Sequence, residues 1–292
     1  MQPQVLDVTI RGMRGKEWIR QRGRLTGTVC VVLAISGAGC VRTAQAWYIA
    51  GYDRDIRRGT REIETARDDS ARAAGYARRG LAYSEKARYC RFAKLVSADE
   101  YERMFGQAVQ DGNRATGLAP ASAEVWFSLG QTYFSRIGPE HTADSDTWLA
   151  MAAADFTRAV ERDPGHSPAW DMLGMVRQAG GDLDQAIEAY TREAALNSLG
   201  RSRLAEAYCE RGGVRHKDRN SEASIADYRK SIELGASQDS CDCDPYNPLA
   251  NAYYVARDYD SAWQIVSQAR RQRRWIMPEL LEALKRDSGR DH

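Results

Sequence analysis

The hydropathy pattern changes twice along the chain. Residues 11–24 carry Arg11, Arg14, Lys16, Arg20, Arg22 and Arg24 against one acid, Glu17. An apolar stretch then runs from Leu25 to Ala38, interrupted by Thr26, Gly27, Thr28, Ser36 and Gly37. These 14 residues fall short of the roughly 20 that a membrane-spanning helix needs, and they match the short core of an export signal. After residue 50, β-branched runs are rare, which favours helix over sheet. There a different order sets in: an aromatic, a Leu-Gly pair three and four residues on, a polar turn, then Ala and another aromatic four apart. Trp170, Leu173, Gly174, Gly181-Asp182, Ala186 and Tyr190 give its clearest form. Each such stretch predicts two antiparallel helices joined at a turn.

The pattern recurs five times. Tyr76, Gly80 and Tyr83 open the first unit, and Ala108, Ala115 and Pro120 close it. Trp126, Leu129, Gly130 and Tyr133 open the second, which Ala152, Phe156, Ala159 and Pro164 close. The fourth runs from Tyr208 and Gly212 to Ile225 and Tyr228, and the fifth from Tyr246, Leu249, Ala250 and Tyr253 to Ala262 and Ala269. The openers stand 50, 44, 38 and 38 residues apart. The pattern resembles the tetratricopeptide repeat, a helical hairpin of 34 residues. The resemblance covers about residues 67–276, with extra residues inside the first two units.

It implies an all-α solenoid of about five hairpins, because neither helix of a unit can bury its apolar face alone. Gly130, Gly174 and Gly212, with Ala250 in the last unit, are expected to let the paired helices approach, and the large aromatics to fill the space between adjacent hairpins. Pro278 is expected to start a capping helix. The expected divisions are 1–46, a leader and anchor; 47–69, a charged linker or lead-in helix; 70–276, the array; and 277–292, the cap and tail.

Composition narrows the function. A hydrophobic content of 43% with 28% charged residues is that of a folded chain, and a net charge of +2 gives no global reason to expect a nucleic-acid partner. There is no Gly-rich phosphate loop ending in Lys-Ser/Thr, no His-Glu-x-x-His and no Gly-x-Ser-x-Gly. The four histidines have no partner three or four residues away. Neither a catalytic set, a metal site nor a cofactor is expected.

The cysteines say more. Gly37-Ala38-Gly39-Cys40 resembles a bacterial lipoprotein lipobox, which implies acylation of Cys40. Ala44-Gln45-Ala46 offers a competing small-x-small cleavage site. Cys209 begins the first helix of the fourth unit, and Cys241 and Cys243 precede the first helix of the fifth. Adjacent hairpins would bring these segments together, so a disulfide from Cys209 to either is expected.

In such a solenoid the first helices line the concave binding surface. Their outward places lie one, five and eight residues after each opener. These are Phe127, Gln131 and Phe134 in the second unit, and Asp171, Met175 and Gln178 in the third. They are Cys209, Gly213 and His216 in the fourth, and Asn247, Asn251 and Tyr254 in the fifth. The mixture of apolar and amide groups suits an extended peptide or a helix. Family members that grip a C-terminal carboxylate use Lys and Asn; Asn251 is placed for this, but position 247 carries Asn rather than Lys. Arg270, Arg271, Arg273 and Arg274, ahead of Trp275, form a second candidate surface for acidic protein or lipid headgroups, or simply a cation-rich helix end.

The expected role is a scaffold or adaptor of the bacterial cell envelope, held at the membrane facing the periplasm or secreted, that binds a protein or peptide partner. The alternatives are an accessory subunit or enzyme of envelope glycan or protein processing, with a site in the insertions around 86–106 and 136–150, and a structural assembly subunit.

Overall fold

The computed structural model describes residues 37–138, 143–198, 200–218, 220–235 and 244–290, with the side chains of 37–43 and 143 left aside. Twelve helices are described: α1 (Gly37–Thr65), α2 (Asp69–Phe92), α3 (Ala98–Leu118), α4 (Ala123–Phe134), α5 (Ala143–Arg162), α6 (Ser167–Ala179), α7 (Leu183–Leu196), α8 (Gly200–Lys217), α9 (Ser221–Leu234), α10 (Tyr246–Val255), α11 (Tyr259–Arg271) and α12 (Pro278–Ser288). There are two compact units, Met1–Asp53 and Arg54–His292. In the first, Trp47 and Tyr48 meet edge to face at 5.3 Å, and both are exposed. Helix α1 runs without a break through Cys40 and Ala46. No described helix is long and apolar enough to cross a membrane.

In the second unit the hairpins are α2–α3, α4–α5, α6–α7, α8–α9 and α10–α11, and each second helix packs on the next first helix, ending with α12 on α11. This is the solenoid the repeat implies. Side chains start the helices: Asp182, Asn220 and Asp258, each 38 residues from the next, accept a backbone N–H at the starts of α7, α9 and α11. Before the first hairpin, the end of α1 lies against α2. A Cβ at Gly59 would stand 2.8 Å from the Cβ of Arg79, and Glu62 pairs with Arg78 at 2.8 Å. At the far end α12 buries Leu280 and Leu284 among Trp263, Val266 and Ile276.

Hairpins two, three and four close where glycine on the first helix meets a ring on the second. A Cβ on Gly130 would lie 2.7 Å from the Phe156 ring, and one on Gly212 would lie 2.9 Å from Tyr228. Gly174 faces Tyr190 in the same way. The second-helix aromatics therefore close their own hairpins rather than filling the space between neighbours. In the first hairpin Gly112 replaces the ring. Backbone then meets backbone, with a Cβ at Gly80 only 2.9 Å from the Ala108 carbonyl, and Leu129 of the next hairpin covers Gly112.

Much of the extra length of the first two units is added helix. Helices α2, α3 and α5 have 24, 21 and 20 residues, against 13 and 14 in α6 and α7. Their added turns pack on each other. The Arg136 guanidinium lies 4.9–5.3 Å from the rings of Tyr101, Phe105 and Trp148, and it pairs with Glu102 at 2.7 Å. A cation held among rings in this way pins the two extended tips together.

Charge enters the core at one repeated place. Asp111, Asp155 and Asp227 stand one residue before the ring position of their second helices, and all are buried. Arg79, just before Gly80, binds Asp111 with two hydrogen bonds of 2.7 and 2.9 Å. Arg211, just before Gly212, binds Asp227 with bonds of 2.9 and 2.7 Å. Hairpins three and five carry neither charge: Leu173 and Ala189 occupy the two places in one, and Leu249 and Ile265 in the other. Hairpin two is mixed, since Leu129 precedes Gly130 while Asp155 remains. Asp155 pairs with the largely exposed Arg158 of its own helix, at 2.7 Å, and faces Tyr133 from α4. Burial pushes its carboxyl up to about 6.

These contacts set the response to substitution. Gly212→Ala should cost about 1–3 kcal/mol in urea unfolding, because Tyr228 cannot retreat from the new methyl. Gly106→Ala, an exposed mid-helix site with open space, should instead stabilise by about 0.4–1 kcal/mol. Asp155 has a folded pKa above its unfolded value of 3.8, so the protonated form favours folding and stability falls as pH rises from about 4 to 6. Asp155→Asn should therefore raise the melting temperature at pH 7.5 and change it little at pH 4, whereas Asp111→Asn should lower it at pH 7.5 because it breaks a buried pair.

Candidate partner-binding face

The outward stripe of each first helix comprises positions four and three residues apart, which lie on one helical face. In the array the leading residues Phe127 and Asp171 turn toward the start of the next first helix, and Asn247 toward the start of the cap. The Phe127 ring is buried 4.8 Å from that of His166, whose Nδ1 caps α6. Asp171 pairs with Arg203 of α8 at 2.6 Å. Cys209 is buried and disulfide-bonded; its candidate partners Cys241 and Cys243 lie outside the described residues. The Asn247 amide donates to the Trp275 carbonyl and accepts from the Met277 N–H, both at 2.9 Å. The side chain of Cys40 also lies outside the described residues.

The later positions of the stripe are mixed. Gln131 is buried, at 8% exposure, while Phe134, Met175, His216 and Asn251 are half-buried. Gln178 accepts from the Tyr190 hydroxyl at 3.0 Å and donates to Glu210 of α8 at 2.6 Å. Tyr254 donates to Asp287 of the cap at 2.6 Å. The stripe is thus the seam between neighbouring first helices as well as a surface, and its fifth-hairpin end holds the chain's own C-terminal segment. Phe134, Met175, Gln178, His216 and Asn251 are among the side chains that keep accessible area on this face.

The seam between α6 and α8 is rich in acid. Arg203 stands among Asp171, Glu193 and Glu206, with Glu210 exposed about two turns along the same helix. Glu193, on α7, is 4% exposed. Burial first, and the Asp171 charge second, push its carboxyl up to about 7, while Arg203 opposes the shift. Arg203 pairs with Asp171, while the buried Glu193 carboxyl feels both charges without an ion pair of its own among the described residues, so its neutral form is favoured. The opener-based stripe passed over Arg203, Glu206 and Glu210. Helix α8 begins eight residues before its opener Tyr208, whereas α4 and α6 begin three residues before theirs. Among the described residues no group of three or more His, Cys, Asp or Glu side chains is placed to hold a metal ion.

Comparison with known proteins gives a sequence relative. The chain is 33% identical over 85 residues to the TPR repeat-containing protein PA0015 of Pseudomonas aeruginosa strain PAO1, an alignment covering 29% of this chain and 71% of that protein. No protein-family model matches the chain. Solved structures with similarity include BtubC from P. vanneervenii, at 14% identity over 79% of this chain and 91% of that one, with a TM-score of 0.43. YrrB, described as a TPR protein with an unusual peptide-binding site, aligns at 15% identity over 72% and 90% of the two chains, with a TM-score of 0.42.

The charge excess at the α6–α8 seam has a measurable signature. The folded pKa of Glu193 lies above its unfolded value of 4.5, so its ionisation weakens the fold as pH rises from about 5 to 7. Glu193→Gln should remove that part of the pH dependence and stabilise the array at pH 8, read as a higher urea midpoint than the parent at pH 8 and a similar one at pH 4.5.

Proposed function

The chain belongs to the tetratricopeptide-repeat family, and on that premise we propose that it is a non-catalytic scaffold whose first-helix face binds a partner protein across α4, α6 and α8. The observation that carries the reading is the makeup of that face. Phe134 and Met175 supply accessible apolar area, the Gln178 amide is held in place from both sides, and Glu206 and Glu210 add negative charge. A segment with an apolar side chain flanked by basic residues matches it, either extended or as a helix. The amide costs little further ordering on binding, since Tyr190 and Glu210 already fix it.

The same proposal places the protein at a bacterial envelope. Its support is the basic-then-apolar order of residues 11–38, with Cys40 or the site after Ala46 as the processing point. Acylation at Cys40 would tether the array to the membrane, and the Cys209 disulfide suits an oxidising compartment.

The test is site-specific photocrosslinking in cells. A benzoylphenylalanine at Met175 or His216 should give one shared adduct, and the same group at Arg192, exposed on the second helix α7, should give none. Equal adducts from all three sites, or an adduct from Arg192 alone, would place the partner elsewhere and overturn the reading.

A further inference from the structure

The segment between α11 and the cap presents a surface separate from the first-helix face. Residues 261–278 contain four arginines and no acid. Arg270, Arg271 and Arg273 are exposed, and none forms an ion pair among the described residues. Beyond them residues 274–277 form no regular secondary structure, and side-chain exposure alternates. Ile276 points into the core at 7% exposure, while its neighbours Trp275 and Met277 are 66% and 38% exposed. The Asn247 amide fixes this alternation by bonding the Trp275 carbonyl and the Met277 N–H. The two large apolar side chains are therefore held outward by a pinned strap.

Three other tryptophans of the array spend their indole N–H inside the fold, and a fourth, Trp148, is half-buried against the rings of Phe105 and Tyr133. Trp126 and Trp170 donate their indole N–H to the carbonyls of Pro120 and Pro164, and Trp263 donates to Ser288. Among the described residues Trp275 makes no such bond. An exposed indole with its donor unspent, beside a second apolar side chain and three exposed guanidinium groups, has the composition of a membrane-interface contact. Anionic headgroups attract each arginine, and the indole sits at the headgroup level. The neighbouring cleft is lined by Asp260, Trp263, Gln264, Ser267, Arg271 and Arg290; Trp275 and Met277 are not part of it and protrude from the strap.

We propose that the Arg270–Met277 strap is a contact site for an anionic lipid surface, with Trp275 and Met277 entering the interface and Arg270, Arg271 and Arg273 binding headgroup phosphates. It stands independently of the partner proposed for the first-helix face.

Hydroxyl-radical footprinting of the full chain reads the two side chains directly. With vesicles containing phosphatidylglycerol, oxidation of Trp275 and Met277 should fall at least about threefold, and with pure phosphatidylcholine it should not change. Phe92, 64% exposed at the other end of the array, serves as the internal reference and should stay unchanged on both. The variant R270Q/R271Q/R273Q should lose the protection while keeping its crosslink at Met175. Undiminished oxidation on anionic vesicles, or equal protection on both vesicle types, would overturn the proposal. So would protection by soluble polyglutamate with none from vesicles, which would assign the strap to an acidic protein.

Discussion

The contact between Gly174 and the Tyr190 ring links the fold to its proposed use. With no Cβ on Gly174, helices α6 and α7 approach until the ring lies on bare backbone. That contact buries Tyr190 to 1% exposure, a burial that contributes about 2–3 kcal/mol for a side chain of its size. The ring's hydroxyl emerges on the first-helix side and donates to Gln178, which donates to Glu210 of the next hairpin. Closure of one hairpin, placement of an amide on the binding face and attachment to the next hairpin thus depend on a single side chain. Phe156 and Tyr228 repeat the closure on Gly130 and Gly212.

Charge is layered on this scheme in pairs, and the exceptions carry information. Arg79 with Asp111, and Arg211 with Asp227, satisfy a buried acid across a hairpin through two hydrogen bonds each. Broken, such a pair leaves a lone buried charge, which costs more than the pair contributes when intact. Hairpin two keeps the acid without the cross-hairpin arginine, and the α6–α8 seam sets two carboxylates against Arg203. The first keeps a buried acid paired only with the exposed Arg158 of its own helix, and the second sets two acids near one base. The second lies beside the proposed partner site, where basic residues of a partner would relieve that imbalance.

Much of the architecture was legible because the repeat is a packing rule expressed in residue size. Glycine, alanine and ring positions at fixed offsets specify which backbones touch, and the five hairpins follow. The extra residues of the first two units were harder to place, since spacing alone does not distinguish a loop from added helix. One signal was available: Ser97-Ala98-Asp99-Glu100 is a helix-start pattern, and the Ser97 hydroxyl accepts the Glu100 N–H at 3.2 Å. The binding face was legible only in part. Counting outward from the openers found Met175, Gln178 and His216 but could not show that Asp171 and Asn247 are spent on the next helix start. It also missed Arg203, because α8 starts more than a full turn earlier than its counterparts.

A double-mutant cycle on Gly174 and Tyr190 tests the closure most directly. If the ring on bare backbone is what holds α6 to α7, Gly174→Ala should be strongly destabilising in the parent chain, where the ring is present. In a Tyr190→Leu background, where it is absent, the same change should cost much less. The coupling should be about 1–3 kcal/mol in urea unfolding. Additive losses, within about 0.5 kcal/mol, would contradict the account by showing that the two positions do not depend on each other.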